Sequence, residues 1–364
     1  MPHWVTALRR GNWKSLFACF LYFDTGFTVW VMFGPLAPFI ARQLALSPSE
    51  SALLVAVPVL AAAIVRITFG NLFQCSDGRS LALLGIALSA VPPLALLLPL
   101  APTYTVLLVL GVFLGVGGAS FAVALPMAGS AYPRDVQGLV LGLAAAGNIG
   151  AVLDGFLFPS LAQMFGWQRA TAASLPLLVF AAAAVLLWAE DRSAKSGRTA
   201  PAVGGLVASF AGLIILVLAV ATGAPGRAGL LLLPMCGAAL AVAVLPRRYR
   251  ALLAERDTWV VMLVYSITFG GFVGMSSYVS LLLTLQYEMS KVEAGLVMAL
   301  LAFTGAMARP LGGLLADRLS GVKVLLVLLL AIALINLAFA KGMPSLSASI
   351  TLLAALYLCF GLGN

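Results

Sequence analysis

Charge is what this chain lacks most. Only 9% of its 364 residues are charged, against about 25% in a soluble domain. Hydrophobic residues make up 62%, and mean hydropathy is +1.10. Such a chain cannot cover a water-facing surface, which excludes a soluble enzyme and a disordered segment. Histidine is nearly absent: His3 stands alone. Cys19, Cys75, Cys236 and Cys359 are scattered, without metal-ligand spacing or a disulfide framework. No metal, cofactor or His-based triad is expected, and no acid–base pair suggests an enzyme.

What is present is a series of apolar runs. Each reaches the roughly 20 residues a helix needs to cross about 30 Å of hydrocarbon. They lie near 14–41, 51–73, 81–100, 104–131, 137–162, 170–189, 203–222, 228–246, 258–285, 293–316, 322–340 and 346–364. An all-α polytopic membrane protein of about twelve spans is predicted. Barrel strands would alternate in polarity instead. The first run is too long for a signal peptide and lacks a cleavage site.

Net charge is +9, which in a soluble protein would suggest nucleic acid. Sorted by loop, the excess explains itself. With the N-terminus cytoplasmic, about fourteen basic residues fall on the inner side; the outer side holds Arg42, Arg169, Arg227, Lys291 and Lys341. This bias sets a multi-pass topology in a cytoplasmic membrane. The bilayer, not nucleic acid, is the expected partner, and a monomer is expected.

Two polar linkers, 190–201 and 247–257, flank a pair of runs without internal charge. The expected organisation is a six-helix half at 1–190, an inserted hairpin with its linkers at 191–257, and a second half at 258–364. Without the hairpin a repeat emerges. Arg66 precedes Gly70 by four residues, followed by Asp77-Gly78-Arg79; Arg309 precedes Gly313 by four, followed by Asp317-Arg318. Gly115-Val-Gly-Gly118 has its counterpart in Gly361-Leu-Gly-Asn364. Parallel repeats of this kind build secondary transporters with the site between halves. The second half then shows four of six helices, so a chain cut inside a helix is expected.

Four ionisable residues lie well inside the runs: Asp24, Arg66, Asp154 and Arg309. Each is costly there and therefore a functional candidate. The arginines are repeated and the aspartates are not. Two planar donor forks across a cavity suit a small oxyanion; buried Arg–Asp struts are the alternative. Asp24 and Asp154 are candidate proton carriers, or charge partners and helix glue. Gly142, Gly147 and Gly150 give one helix a small-residue face for close packing or sliding. Gly70, Asp77, Arg79, Gly313, Asp317 and Arg318 form candidate gating turns. Asn148 can bind a substrate or a neighbouring helix. Tyr265 and Phe269, four apart, and Phe121 can sandwich a planar anion or simply pack.

These residues resemble a family. The paired Gly-to-Arg turns are similar to cytoplasmic loops of the major facilitator superfamily, although Gln74-Cys75 stands where Asp-Arg is common. More closely, the chain resembles the nitrate/nitrite porters. The matches are the Phe27–Phe33 stretch, Val57-Pro58-x7-Arg66, Gly117-Gly-Ala-Ser-Phe121-Ala, Tyr132-Pro133 and Gln137-Gly-Leu-x-Leu-Gly142. They continue through Gly147-Asn148-x-Gly150, Gly166-Trp167-Gln-Arg169, the Tyr265–Phe272 stretch and Arg309. The 137–150 stretch looks like the first of the family's two nitrate signatures; the second would lie in a later helix. The resemblance implies two pseudo-symmetric halves. It also implies Arg66 and Arg309 clamping the anion, Phe121, Tyr265 and Phe269 stacking on it, and Asn148 assisting. Nitrate or nitrite would be the solute, carried by proton symport, slightly favoured, or by exchange. A transporter of another small solute or drug, or a non-transporting anion sensor, stays open.

Overall fold

The computed structural model describes residues 10–98, 101–223, 227–342 and 345–363. Every regular element among them is a helix. Nine of these helices are long and apolar enough to cross a membrane, or ten if the bent pair Gly229–Val244 and Arg247–Ala254 counts as one. The chain is a multi-pass membrane protein.

The difference from twelve runs has local causes. The fifth run is divided into Gln137–Ala145, a 3₁₀ turn at Ala146–Ile149 and Gly150–Phe165, so neither piece reaches spanning length. The last run forms Leu346–Leu362, 17 residues long. The first run remains one span although it bends at Met32, between Trp13–Val31 and Phe33–Gln43. Pro35 has no N–H to offer the carbonyl of Val31, so the ladder opens there.

Polar loop residues fix the helix starts. Ser47 and Glu50 form a reciprocal capping box on Pro48–Phe73. Asp77 caps Gly78–Leu96, accepting from the Ser80 N–H and hydroxyl at 2.9 Å each.

The two halves meet at the end bearing residues 44–47, 166 and 288–290. There Gly155 and Gly295 cross, and a Cβ added to Gly155 would sit 2.6 Å from the Gly295 carbonyl oxygen. A Cβ on Gly34 would lie 2.9 Å from the Ser277 backbone. The Tyr278 hydroxyl donates to the Ala52 carbonyl at 2.9 Å. At the other end the interior is hollow. A cavity of about 630 Å³ runs from Arg66 past Gly70 and Phe73 to Ser193, Tyr249 and Leu252 of the two linkers.

The first linker lies as a strap on this end. The Ser196 N–H donates to the Gln74 carbonyl at 2.7 Å, and Lys195 Nζ to the Phe73 carbonyl at 2.9 Å. Asp191 pairs with Lys195 and accepts from the Gly78 N–H at 2.8 Å. Burial disfavours its charge, but the bonds from Lys195, Ser193 and Gly78 outweigh this and hold its carboxyl below the usual range. A lowered folded value stabilises the strap above the ordinary aspartate range. That contribution is lost as pH falls through the lowered value.

The hairpin helices Thr199–Gly223 and Arg227–Val244 pack on Pro48–Phe73 and on Tyr104–Ala119. Leu60 fills the notch at Gly237, and Phe113 meets Phe210 at 5.5 Å.

Candidate functional site

Arg66 lies in Pro48–Phe73, half-buried on the inner wall. One guanidinium nitrogen donates to the Gly118 carbonyl at 2.8 Å. Gly118 sits in the glycine-rich stretch of Tyr104–Ala119, which leaves the carbonyl accessible. Buried Nε has no hydrogen-bond partner among the described residues. Three rings surround the guanidinium carbon: Phe121 at 5.2 Å, Trp30 at 5.6 Å and Phe269 at 5.6 Å. These are cation–π distances.

Arg309 lies in Lys291–Leu319, with its guanidinium 5.2 Å from the Phe272 ring. The helix that begins at Arg256 links the two arginines. Its Tyr265 hydroxyl stands within electrostatic range of both guanidiniums. Tyr265 and Phe269 stack at 5.0 Å with 16° between planes, and Phe269 meets Phe121 at 6.5 Å. A π-helical turn at Ser266–Gly270 makes this stacking possible. An i→i+5 turn advances less per residue than an α turn, so residues four apart come nearer to eclipse.

Arg66 forms the boundary between two spaces. On one side is the large cavity. On the other is a chamber of about 170 Å³ lined by Trp30, Ala63, Arg66, Tyr265, Phe269 and Val273. The structure thus brings Arg66, Phe121, Tyr265 and Phe269 together, with Arg309 joined through Tyr265. The Asn148 side chain lies outside the described residues; its backbone belongs to the 3₁₀ turn.

The aspartates form a separate group. Asp154 is fully buried in Gly150–Phe165, and neither carboxylate oxygen has a hydrogen-bond partner among the described residues. Its polar neighbours are Asp24 and Thr28 of Trp13–Val31. Neither aspartate forms an ion pair among the described residues. Gly147 and Gly150 let the broken helix approach here: a Cβ at Gly150 would lie 2.5 Å from Thr28 Oγ1, and one at Gly147 2.9 Å from the Asp24 nitrogen.

Gly142 faces open space instead, with nothing within 4 Å of an added Cβ. Gly70 lines the large cavity, Asp77 caps its helix, and Arg79 donates to the Leu186 carbonyl. Gly313, Asp317 and Arg318 continue the helix that carries Arg309, their side-chain positions being outside the described residues.

Trp30 and Phe272 are additions to the residues that sequence singles out. Both lie within the matched stretches 27–33 and 265–272. Trp30 is further held by its indole N–H, which donates to the Pro58 carbonyl at 2.9 Å. Phe272, three residues after Phe269, has a helical spacing that points to it.

Long helices around an arginine- and aromatic-lined chamber, with the halves crossing through glycine at one end, define a membrane transporter fold rather than an enzyme. The Major Facilitator Superfamily model matches residues 18–364, and the chain belongs to that superfamily. Within it the chain belongs to the nitrate/nitrite porter family. It is 31% identical over 358 residues to the probable nitrate/nitrite transporter NarK2 of Mycobacterium tuberculosis, covering 98% of this chain and 79% of that protein. The nitrite extrusion protein of Bacillus subtilis is 27% identical over 340 residues, covering 93% and 74%. The probable nitrate transporter NarT of Staphylococcus haemolyticus is 25% identical, covering 93% and 76%. In fold the chain is similar to the xylose transporter XylE from E. coli in a partially occluded inward-open conformation. That similarity has TM-score 0.61 at 13% identity and covers 96% of this chain and 84% of that one. A bacterial homologue of the lysosomal transporter Spinster, inward-facing and unoccupied, also gives TM-score 0.61, at 18% identity, covering 96% and 73%.

Proposed function

We propose that this protein is a secondary transporter that carries nitrate or nitrite across the cytoplasmic membrane. The observation that carries this reading is that one helix faces both intramembrane arginines, through Tyr265. The names of the similar proteins support the choice of anion. In this reading residues 1–190 and 258–364 belong to the two working halves, and 191–257 is an inserted hairpin. The N-terminus and both linkers are cytoplasmic.

The anion enters the large cavity from the linker end and exchanges its hydration shell for guanidinium donors. The rings beside Arg66 and Arg309 exclude water and offer flat faces to a planar ion. Asn148 adds an amide. A bound anion offsets the repulsion between two like charges and draws the halves together, favouring a closed state. Gly70 and Gly313, each near the end of its helix, and the charged residues Asp77, Arg79, Asp317 and Arg318 form the moving rim at the cytoplasmic end.

An anion entering a cell works against an inside-negative potential of about 2.3 kcal/mol per charge per 100 mV. Co-transported protons remove that opposition. The buried Asp154 and the half-buried Asp24 are the carboxyls proposed to carry them, so proton symport is favoured over nitrate/nitrite exchange. The experiment is uptake of labelled nitrate by proteoliposomes of the protein, with or without internal nitrite and with or without an acid-outside gradient. Uptake driven by the pH gradient supports symport; uptake that needs internal nitrite assigns exchange. Absence of nitrate and nitrite flux alike removes the proposal.

The aspartates give a sharper outcome. Asp154→Asn abolishes gradient-driven uptake and retains nitrate binding; Asp24→Asn reduces it by a smaller factor. Gradient-driven uptake unchanged in both variants removes the carboxyls from coupling.

A further inference from the structure

The hairpin brings a second cationic site with it, away from the two intramembrane arginines. Thr199–Gly223 begins and Arg227–Val244 ends at the same end of the bundle, beside the end of Pro48–Phe73. Between the three helix ends lies a groove of about 510 Å³. Arg198 from the first linker and Arg247 and Arg248 from the second all line it, and no acidic residue does.

The arginines are uncompensated for a structural reason. The nearby acids are engaged elsewhere. Asp191 is held by Lys195 and Gly78, and Glu190 by Asn12 and Arg192. Arg198 and Arg247 are exposed and form no ion pair among the described residues. Arg248 is fixed in place: it donates to Asn71 Oδ1 at 2.5 Å and lies 4.9 Å from the Tyr249 ring. The groove sits where apolar helices begin, at the level of lipid headgroups. Its inward part is small and apolar, formed by Ala202, Gly205, Val244 and Leu245. A Cβ at Gly205 would meet only a Thr68 methyl at 3.8 Å, so a shallow slot continues down the helices.

We propose that this groove binds one anionic phospholipid, with its phosphodiester on Arg198, Arg247 and Arg248 and an acyl chain in the slot. Charge and shape select this occupant together. A free phosphate satisfies only the arginine end. A zwitterionic headgroup brings its own cation into a cationic cluster. The bound lipid bridges both linkers and the end of Pro48–Phe73, stapling the hairpin to the helix that carries Arg66.

The test uses the whole chain purified into nanodiscs of phosphatidylcholine containing a minor fraction of phosphatidylglycerol. Retained lipid is counted by native mass spectrometry, and thermal unfolding is followed in parallel. One phosphatidylglycerol is expected to stay bound, and to raise the unfolding midpoint. An interfacial arginine contributes about fivefold in affinity, so Arg198→Gln lowers retention about fivefold and the triple variant Arg198→Gln/Arg247→Gln/Arg248→Gln on the order of a hundredfold. Arg42→Gln/Arg169→Gln, at the opposite end, leaves retention unchanged. Equal retention by parent and triple variant overturns the proposal. So does equal stabilisation by phosphatidylcholine alone, or by inorganic phosphate without phosphatidylglycerol.

Discussion

Replacing Arg66 with lysine is expected to weaken nitrate binding by 10- to 100-fold or more, with folding largely retained. Lysine keeps the charge but not the planar fork. Arg66 spends one donor on the Gly118 carbonyl and presents the rest to the space among Trp30, Phe121 and Phe269. A lysine at the same place can hold the carbonyl or the anion, but not both with the same geometry. Hydrogen bonds to charged groups contribute about 1.5–3 kcal/mol each, which sets the range. Arg309→Lys should act in the same direction, because Phe272 flanks its guanidinium as a flat cation requires. Isothermal titration with nitrate measures both. If the lysine variants bind nitrate as the parent does, no fork clamps the ion.

The second large effect concerns the crossing of the halves. Gly155→Leu places an isobutyl group where a single Cβ already comes within 2.6 Å of the Gly295 carbonyl and 2.8 Å of the Met298 methyl. Backbone cannot yield as a side-chain tip can, so the closed end is wedged apart. Transport is expected to fall at least tenfold while anion affinity changes little, since Gly155 is not among the residues lining either space beside Arg66. Cysteines introduced near Gly34 and Ser277 should become reactive to an impermeant thiol reagent in this variant. Protection equal to that of the parent would show that the crossing closes despite the bulk. Gly295→Leu provides an independent copy, opposing Pro159 and the Gly155 carbonyl.

Much of this was legible from the residues. Apolar runs fix helices because the bilayer leaves the backbone no other way to satisfy its groups. Arg66 and Arg309 stood out because charge is so rare in the spans. The helical spacing of Tyr265 and Phe269 placed them on one face. Other features were hidden. The small-residue face at Gly147 and Gly150 signalled a close approach, but not that their docking on Trp13–Val31 would break the helix into a 3₁₀ turn at Ala146–Ile149. The π turn at Ser266–Gly270 has no marker in a stretch that otherwise reads as ordinary helix. Trp30 and Phe272 were masked by their setting, since an aromatic in an apolar helix looks like packing until a cation lies beside it. The glycines showed the same limit: Gly142 shares its helix's small-residue pattern yet meets nothing, whereas Gly155, outside that pattern, carries the crossing.

The π turn divides its helix into two hydrogen-bond registers. Phe269, whose ring faces Arg66, lies within the π turn, and Phe272, whose ring faces Arg309, lies in the α-helix that follows it. A rigid α-helix would turn both rings together, so any rotation that relaxed one arginine's aromatic contact would strain the other's. With an extra residue between them, the dislocation can take up a rotation of one segment and leave the other still. In the proposed transport cycle the two cations would therefore lose or gain their aromatic neighbours in sequence rather than at once, as a phase slip that travels along one helix.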